Sequence, residues 1–523
     1  MGQWNREVLE KIKKLCLDRD TEDPKAFYPC QDILGLVFLR FICAAAEFNS
    51  KDAPVPPAQA AGGDGRREFQ AGERGSDPEN ERRDRDPEVF IVPDSAAWDR
   101  IFPGGKKNGE GGPEPAAKGA DQNLIPVIAR AIRAIERENP ALRDLFPRVL
   151  TRTAGRRSSE SPGPDAPFLP ELGCLLGGLS APEAGQVFTE LMAEFETRAA
   201  PLLVRGVRPR TAPVPRGIAN LLALMLEPYR GRFYDPCCGA ANLPAGAADF
   251  VSSRRGKLQE LSFYAQEREA EAWRLARMNL LVRGIDASEI RLNADGPLQK
   301  DPHRDIKFDF IAACPPPGED SYLWIRYTLD RLSAGGLGAL ILPRSSLASP
   351  RAGDREIRRS LVEGRLLDCV VNLPARIFSG HSPSPCIWFF SRAKISRGRR
   401  GDEVLFIDAR NLGRPVNRRQ REFSAEDINR IARTYHNWRF PKTVPYRDLR
   451  SFALSAHIAQ IRAAAYSLNP AFYLGIPEEE EETNRGAQFE ALRAEFEALV
   501  REESRLSRQT AEALRKIRGG DLG

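Results

Sequence analysis

The chain of 523 residues is 41% hydrophobic and 29% charged, enough for several domains with buried cores. Its 78 basic and 72 acidic groups leave a net charge of only +6, which excludes a histone-like polycation while permitting a local basic face. Nine scattered cysteines make no disulfide scaffold, so a reducing cytoplasm is the expected compartment. Cys237-Cys238 has no second pair and the four histidines are isolated, so no metal site is expected. The N-terminus lacks an apolar signal core, and the longest apolar run, 33–48, is broken by Arg40, so neither an export signal nor a membrane span is expected.

In chain order, apolar residues recur at helical spacing over 8–16, 32–48, 124–137 and 184–195. This predicts that the first 200 residues are mainly helical, with an N-terminal domain over 1–178. Three insertions within it, 51–87, 104–120 and 151–167, hold few large apolar residues and are expected to be disordered. From Arg232 short β-rich runs alternate with helical ones, the pattern of a parallel sheet wrapped by helices over 179–440. Strands are predicted at 232–235, 261–266, 308–313, 337–342 and 366–373, and helices at 268–283, 321–332 and 354–363. The runs 386–392 and 403–410 follow each other without a helical crossover, which predicts an antiparallel hairpin at the sheet edge. Ser424 and Asp427 read as a capping box for a helix burying Ile428, Ile431 and Tyr435. In the C-terminal segment, 441–523, Phe489, Leu492, Phe496, Leu499, Leu506 and Ile517 recur near heptad spacing. They predict an amphipathic helix over 488–517, either packed on its own domain or presented to a partner.

The stretch FYDPCCGAANL, 233–243, carries most of the chemical information. A strand ending in Asp235-Pro236 and running through small residues, Gly239 and Ala241 among them, into a helix lets backbone amides approach a ligand, as in nucleotide-type cofactor sites. The second strand ends at Glu267, 28 residues after Gly239 and farther than the dinucleotide fingerprint's acid. An acid there suits ribose hydroxyls; the plainer reading is a surface Glu capping the next helix. Asp295 falls where the third strand would end, either at the ligand edge or as an ordinary turn residue. The fourth strand delivers Cys314 and three prolines, Pro315, Pro316 and Pro317, whose fixed φ forces a rigid exit at the carboxyl edge, where ligands bind.

The chain resembles the methylation subunits of type I restriction-modification systems, adenine-N6 DNA methyltransferases that use S-adenosylmethionine. LEPYRGRFYDPCCGAANL looks like the family's cofactor loop, and AQEREAEAWRLARMNLLVRG like its second-strand Glu and M-N-L helix. LSAGGLGALILPRSSL, EIRRSLVEGRLLDCVVNLPARIFSGHSPSPCIWFFSR and EVLFIDARNLG continue in the family's order. DILGLVFLRFICAAAEF and FIVPDSAAWDRIF are similar to its helical N-terminal domain, and SAEDINRIARTYHNWR and YSLNPAFYLG to its C-terminal region. The resemblance implies a class I, Rossmann-like α/β methyltransferase sheet between a helical N-terminal domain and a C-terminal helical arm. It implies S-adenosylmethionine held by Asp235, Gly239, Ala241, Glu267 and Asp295, and a base-facing loop of Cys314, Pro315, Pro316 and Pro317. Its partners would be DNA, a specificity subunit that the terminal helix contacts and a restriction subunit, with two such chains per complex.

Three motifs depart from the family. Its loop D-P-C-C-G-S-G-G reads Gly239-Ala240-Ala241-Asn242 after the cysteines, placing two methyl groups and an amide where they would line the approach to the cofactor. Its F-Y-T-P reads Ala212-Pro213-Val214-Pro215. Its catalytic Asn-Pro-Pro-aromatic reads Cys314-Pro315-Pro316-Pro317, replacing an amide acceptor by a thiol and removing the ring that stacks on the flipped adenine. Besides an adenine methyltransferase, two further functions fit the residues: a degenerate subunit that scaffolds a DNA-bound complex, and a methyltransferase acting on a protein amide or RNA.

Overall fold

The computed structural model describes residues 9–12, 30–52, 90–102, 124–147, 150, 168–202, 213–378, 384–393, 401–417, 420–440 and 445–474, with a few positions between 493 and 506. The predicted terminal helix lies almost wholly outside them, as do the insertions 104–120 and 151–167. Of 51–87 only Lys51 and Asp52 are described, and they complete the helix Cys30–Asp52.

The described part of the first 200 residues is helical, as the periodicity predicts: Cys30–Asp52, Leu124–Glu138, Phe168–Gly177 and Ala181–Leu202 are its main helices. Among the described residues eleven strands follow: β1 Gly231–Asp235, β2 Leu261–Glu267, β3 Ile290–Leu292, β4 Phe308–Ala313, β5 Leu332–Pro343, β6 Leu367–Asn372, β7 Pro385–Ser391, β8 Glu403–Asp408, β9 Arg414–Asn417, β10 Gln420–Glu422 and β11 Ala453–His457. Nine of them form one sheet in the order β11-β8-β6-β7-β5-β4-β1-β2-β3, and β9 and β10 pair separately. All neighbours from β3 to β5 are parallel. The chain steps one way from β1 to β2 and β3 and the other way from β4 to β5. That reversal opens a crevice between the carboxyl ends of β1 and β4, the switch point at which ligands bind in doubly wound sheets.

Central strands are apolar on both faces because both are covered. On β5, Leu337, Ala339 and Ile341 enter one core with the helices Arg216–Leu226, Asn242–Ser253, Ala270–Leu281 and Ala425–Arg439, and with the N-terminal helices. Leu340 and Leu342 enter the other, with Ser321–Arg331, Ala352–Glu363 and Ile458–Ala463. The N-terminal helices are joined to the rest of the chain by polar contacts as well: Arg274 Nε donates to Asp144 O at 2.8 Å and Arg277 Nη2 to Ala141 O at 2.7 Å. The capping box at Ser424 forms, with Asp427 N donating to Ser424 Oγ and Ser424 N to Asp427 Oδ2.

The predicted edge hairpin does not form. β7 inserts between β5 and β6, antiparallel to both, while β8 runs parallel to β6 and takes β11 as its outer neighbour. All seven residues of β7 are buried, so a run without polar alternation marks a strand that needs a partner on each side. β7 and β8 are therefore separated by β6, and most of the eleven residues that connect them lie outside the described residues. The edge strand is β11, so the sheet continues past residue 440.

Candidate active site

Asp235 closes β1 with 1% of its surface exposed, and its Oδ1 accepts the amide of Cys237 at 3.1 Å. Burial pushes its carboxyl well above the usual aspartate range; the Cys237 amide opposes that and the nearby Glu267 charge adds to it. The loop then turns at Gly239, whose φ of +55° suits a residue without Cβ, and a Cβ built there meets nothing within 4 Å. Open space therefore lies over the loop at the switch point.

Glu267 faces that turn from the end of β2. Only 5% exposed, its carboxylate accepts Gly239 N at 2.7 Å through Oε2, and Arg268 N at 2.7 Å and Glu269 N at 2.9 Å through Oε1. Three backbone amides occupy three of roughly four lone-pair positions, leaving acceptor capacity for a ligand hydroxyl. The plainer reading of a surface helix cap does not hold: the amides it binds precede the next helix, whose N-cap Glu269 has no side-chain cap, and the carboxylate is buried against the turn at Gly239.

Ala241 does not line the approach. It is fully buried in the core, held in the left-handed region (φ 62°, ψ 37°), and its amide is engaged by Cys238 O at 2.8 Å. Asn242 likewise turns away, donating to Val214 O at 2.8 Å. The expected crowding by a second methyl group and an amide is thus relieved by the helix start, which turns both side chains out of the cleft. Asp295 sits exposed on a turn just after β3, at the same edge as Asp235 and Glu267. The segment that carries it is pinned at both ends. Asn293 Nδ2 donates to Gln266 Oε1 and Lys300 O, both at 2.6 Å, and Asp301 accepts Gln266 Nε2 and Tyr327 OH at 2.7 Å.

At the end of β4, Cys314, Pro315 and Pro316 are half-buried and Pro317 is exposed. Burial and the neighbouring Asp235 charge push the Cys314 thiol up to about 12, so it stays protonated at neutral pH. Burial raises Cys237 and Cys238 as well, with Asp235 the next cause, which leaves no ready nucleophile among the three. Pro316 O accepts Glu319 N at 3.3 Å, closing the turn into the helix Ser321–Arg331, which Asp320 caps through Tyr322 N.

Sequence reasoning missed the residues that brace these loops. Arg268 Nη1 donates to Glu319 Oε1 at 3.1 Å, linking the end of β2 to the loop after β4, and Trp324 Nε1 holds the other oxygen of Glu319 at 2.8 Å. Asn279, in the M-N-L helix and 2% exposed, donates to Ala240 O at 2.8 Å and so supports the cofactor loop from below. Among the described residues, no group of three or more His, Cys, Asp or Glu is placed to hold a metal ion, and no helix is long and apolar enough to cross a membrane.

The model of the N-6 DNA methylase family matches the chain over residues 213–322 and 315–482, a span that holds every residue above. The methylase subunit of the Haemophilus influenzae type I restriction enzyme HindI is 33% identical over 329 residues, covering 58% of this chain and 72% of that protein. The chain belongs to the N-6 DNA methylase family, among type I methylation subunits. Its fold is shared with the methyltransferase subunit of a Streptococcus thermophilus type I system, at a TM-score of 0.61 and 17% identity over 90% of this chain and 99% of that one. A chain from a structure describing type I complex assembly and conformational transition aligns over 99% of each, with a TM-score of 0.58 and 15% identity. In this methylase Asp235, Gly239 and Glu267 cluster at the ends of β1 and β2, and the Cys314–Pro317 segment follows β4 at the same edge of the sheet.

Proposed function

We propose that this methylase binds S-adenosylmethionine at the carboxyl ends of β1 and β2 and transfers its methyl group to adenine N6 in DNA, in a complex with a specificity subunit. The observation that carries this reading is Glu267, clamped by three backbone amides beside the open space over Gly239. A buried carboxylate with spare acceptor capacity next to an uncovered glycine turn fits a ribose and the chain attached to it. When bound, S-adenosylmethionine supplies an electrophilic methyl group. Glu267 accepts its ribose hydroxyls, Asp235 and the Gly239 turn bound the space for its amino-acid portion, and Asp295 stands on the side of the third strand.

On the base side, the proline carbonyls of the Cys314–Pro317 loop orient the adenine amino group. Pro315 and Pro316 keep that backbone rigid, since neither can rotate about φ. Cys314 is a weak acceptor and Pro317 has no aromatic face, so the loop holds the base less firmly than the family's Asn-Pro-Pro-aromatic motif. Methyl transfer is accordingly slow rather than absent. A working complex would hold two such chains with a specificity subunit, joined by a restriction subunit for cleavage, in the cytoplasm. Membership in a DNA methylase family favours DNA over a protein amide or RNA as acceptor.

Calorimetric titration of the full chain with S-adenosylmethionine, alone and with its specificity subunit, tests the cofactor half. Digestion of reacted duplex DNA and mass spectrometry for N6-methyladenine tests transfer. Binding, with N6-methyladenine formed in the complex, is the expected result. No binding in either state would overturn the reading in favour of a scaffold.

A further inference from the structure

A buried chain of hydrogen bonds lies under the turn that carries Asp295, and the chemistry above leaves its central residue, Asp301, without a role. Tyr234 is fully buried, Gln266 is 1% and Asn293 7% exposed, and 8% of the Asp301 side chain meets solvent. Phe308 stacks on Tyr234 at 4.2 Å and the His303 ring meets Tyr234 edge-on, which seals the network from water. Both carboxamides use every hydrogen they have. Asn293 Nδ2 donates to Gln266 Oε1 and Lys300 O, each at 2.6 Å, while Gln266 Nε2 donates to Asp301 Oδ1 at 2.7 Å and to the Tyr234 hydroxyl. Tyr327 OH donates to Asp301 Oδ2 at 2.7 Å, so the Tyr234 hydroxyl, 2.8 Å from it, donates to Tyr327 in turn. The donors thus run toward Asp301 from both sides, and it also accepts the His303 amide at 2.9 Å.

The same bonds close the loop 293–300. Asn293 is the first residue after β3 and Asp301 the first after the loop, and Gln266 holds both. Gln266 precedes Glu267 on β2; its carbonyl accepts the amide of Cys238 at 2.9 Å, and the carbonyl of Glu267 accepts the amide of Asn293 at 2.8 Å. Inside the loop, Gly296 N donates to Asn293 O at 3.1 Å and Lys300 N to Gly296 O at 3.0 Å. Asp295 therefore stands on a loop whose hydrogen bonds to the sheet lie at its two ends, both on the strand that carries Glu267.

We propose that Asp301 is a positioning residue of the cofactor site, holding the exit of the 293–300 loop on β2 so that Asp295 is in place before S-adenosylmethionine arrives; this rests on the cofactor reading above. A loop left to find its place on binding would take its ordering entropy out of the affinity. Bonds within a sealed network fix it beforehand, because a buried donor deprived of its acceptor is costly. The two oxygens of Asp301 divide the work. Oδ1 serves the loop, through Gln266 and the His303 amide, whereas Oδ2 serves the helix Ser321–Arg331, through Tyr327 and, at 3.5 Å, Arg331 Nε. That division allows the loop to be released without the helix, and the helix without the loop.

The test is calorimetric titration of the full chain with S-adenosylmethionine, well below the melting transition of each variant. Asp301→Ala should weaken binding at least about tenfold, since a displaced contact group costs affinity out of proportion to its distance from the ligand. Asp301→Asn keeps an oxygen for Gln266 and the His303 amide, and should stay within about threefold of the parent. Tyr327→Phe removes a buried bond on the helix side alone, so it should melt lower than the parent yet bind within about twofold of it. Unchanged affinity in Asp301→Ala overturns the proposal. So does a loss in Tyr327→Phe that follows its melting temperature, which would make the network a matter of stability only. If Asp301→Ala does not fold, Asn293→Ala opens the same loop at its other end; the same loss is expected there, and unchanged affinity overturns the proposal. A parent that binds no S-adenosylmethionine, alone or with the specificity subunit, refutes the cofactor reading and this role together, whereas a binding parent with an indifferent Asp301→Ala refutes this role alone.

Discussion

Along one sheet edge, the end of β2 and the end of β4 are built by opposite means. At β2 the functional group is a carboxylate held by three backbone N–H bonds of 2.7 to 2.9 Å, with neighbouring loops pinned by Asn293, Asp301 and Asn279. At β4 the loop owes its shape to proline rings, to a turn bond from Glu319 N and to the bonds of Arg268 and Trp324 to the Glu319 side chain, and the Cys314 thiol is held protonated by burial. A preorganised polar group loses little when a ligand arrives, because its orientation is already fixed. A rigid backbone without a side-chain acceptor fixes position but offers fewer contacts to a developing charge. On the function proposed above, the β2 end would serve the cofactor and the β4 end the base, the first better prepared than the second, and the two ends are tied by Arg268–Glu319.

Removing the carboxylate should break the comparison most visibly. Glu267→Ala should weaken S-adenosylmethionine binding by about 1 to 3 kcal/mol, roughly 5- to 150-fold, by titration calorimetry below the melting transition. The melting temperature should also drop, since three amides lose their acceptor; unchanged cofactor affinity would remove Glu267 from the site.

Asp235→Asn sharpens the same half by its pH dependence. A carboxyl with its folded pKa raised by burial makes the parent lose stability as pH rises from about 4 through the folded value. Asn keeps the oxygen that Cys237 N needs and carries no charge. The variant should therefore melt above the parent at pH 7, and the gap should close as pH falls toward 4; a gap independent of pH would contradict the buried charge.

The tie between the halves is smaller. A double-mutant cycle on Arg268→Ala and Glu319→Ala should give a coupling of about 0.5 to 1 kcal/mol in urea unfolding, because both side chains are partly in solvent. Smallest of all is Ala241→Gly. Relieving the left-handed Ala is worth about 1 kcal/mol, and losing its buried methyl offsets much of that. Stability should rise by a few tenths of a kcal/mol, and a loss above about 1 kcal/mol would show that the methyl, not the backbone, dominates there.

Local signals carried far along this chain, and contacts between distant residues did not. The β1 and β4 runs, the Ser424 capping box and the acid at the end of β2 were legible because each is written within a few neighbouring residues. The position of β7 was not: whether an apolar strand lies between two others or turns back on its successor depends on partners far away in sequence. Arg268 meets Glu319 across 51 residues, and Asn279 meets Ala240 across 39, with no pattern of spacing to announce either. The outward-facing reading of Ala241 failed for a related reason. A side chain's direction at a helix start follows from φ and ψ, which residue type alone does not set.

The central claim, a competent cofactor half joined to a weakened base half, is tested most directly by restoring the base half alone. In the complex with the specificity subunit, Cys314→Asn with Pro317→Phe should raise the single-turnover rate of adenine-N6 methylation at least about tenfold, with S-adenosylmethionine affinity unchanged. The added acceptor addresses a contact typically worth two to three orders of magnitude in rate, and the ring a further 1 to 3 kcal/mol of roughly additive stacking. A parent that methylates adenine rapidly, and faster than the double variant, would contradict the account.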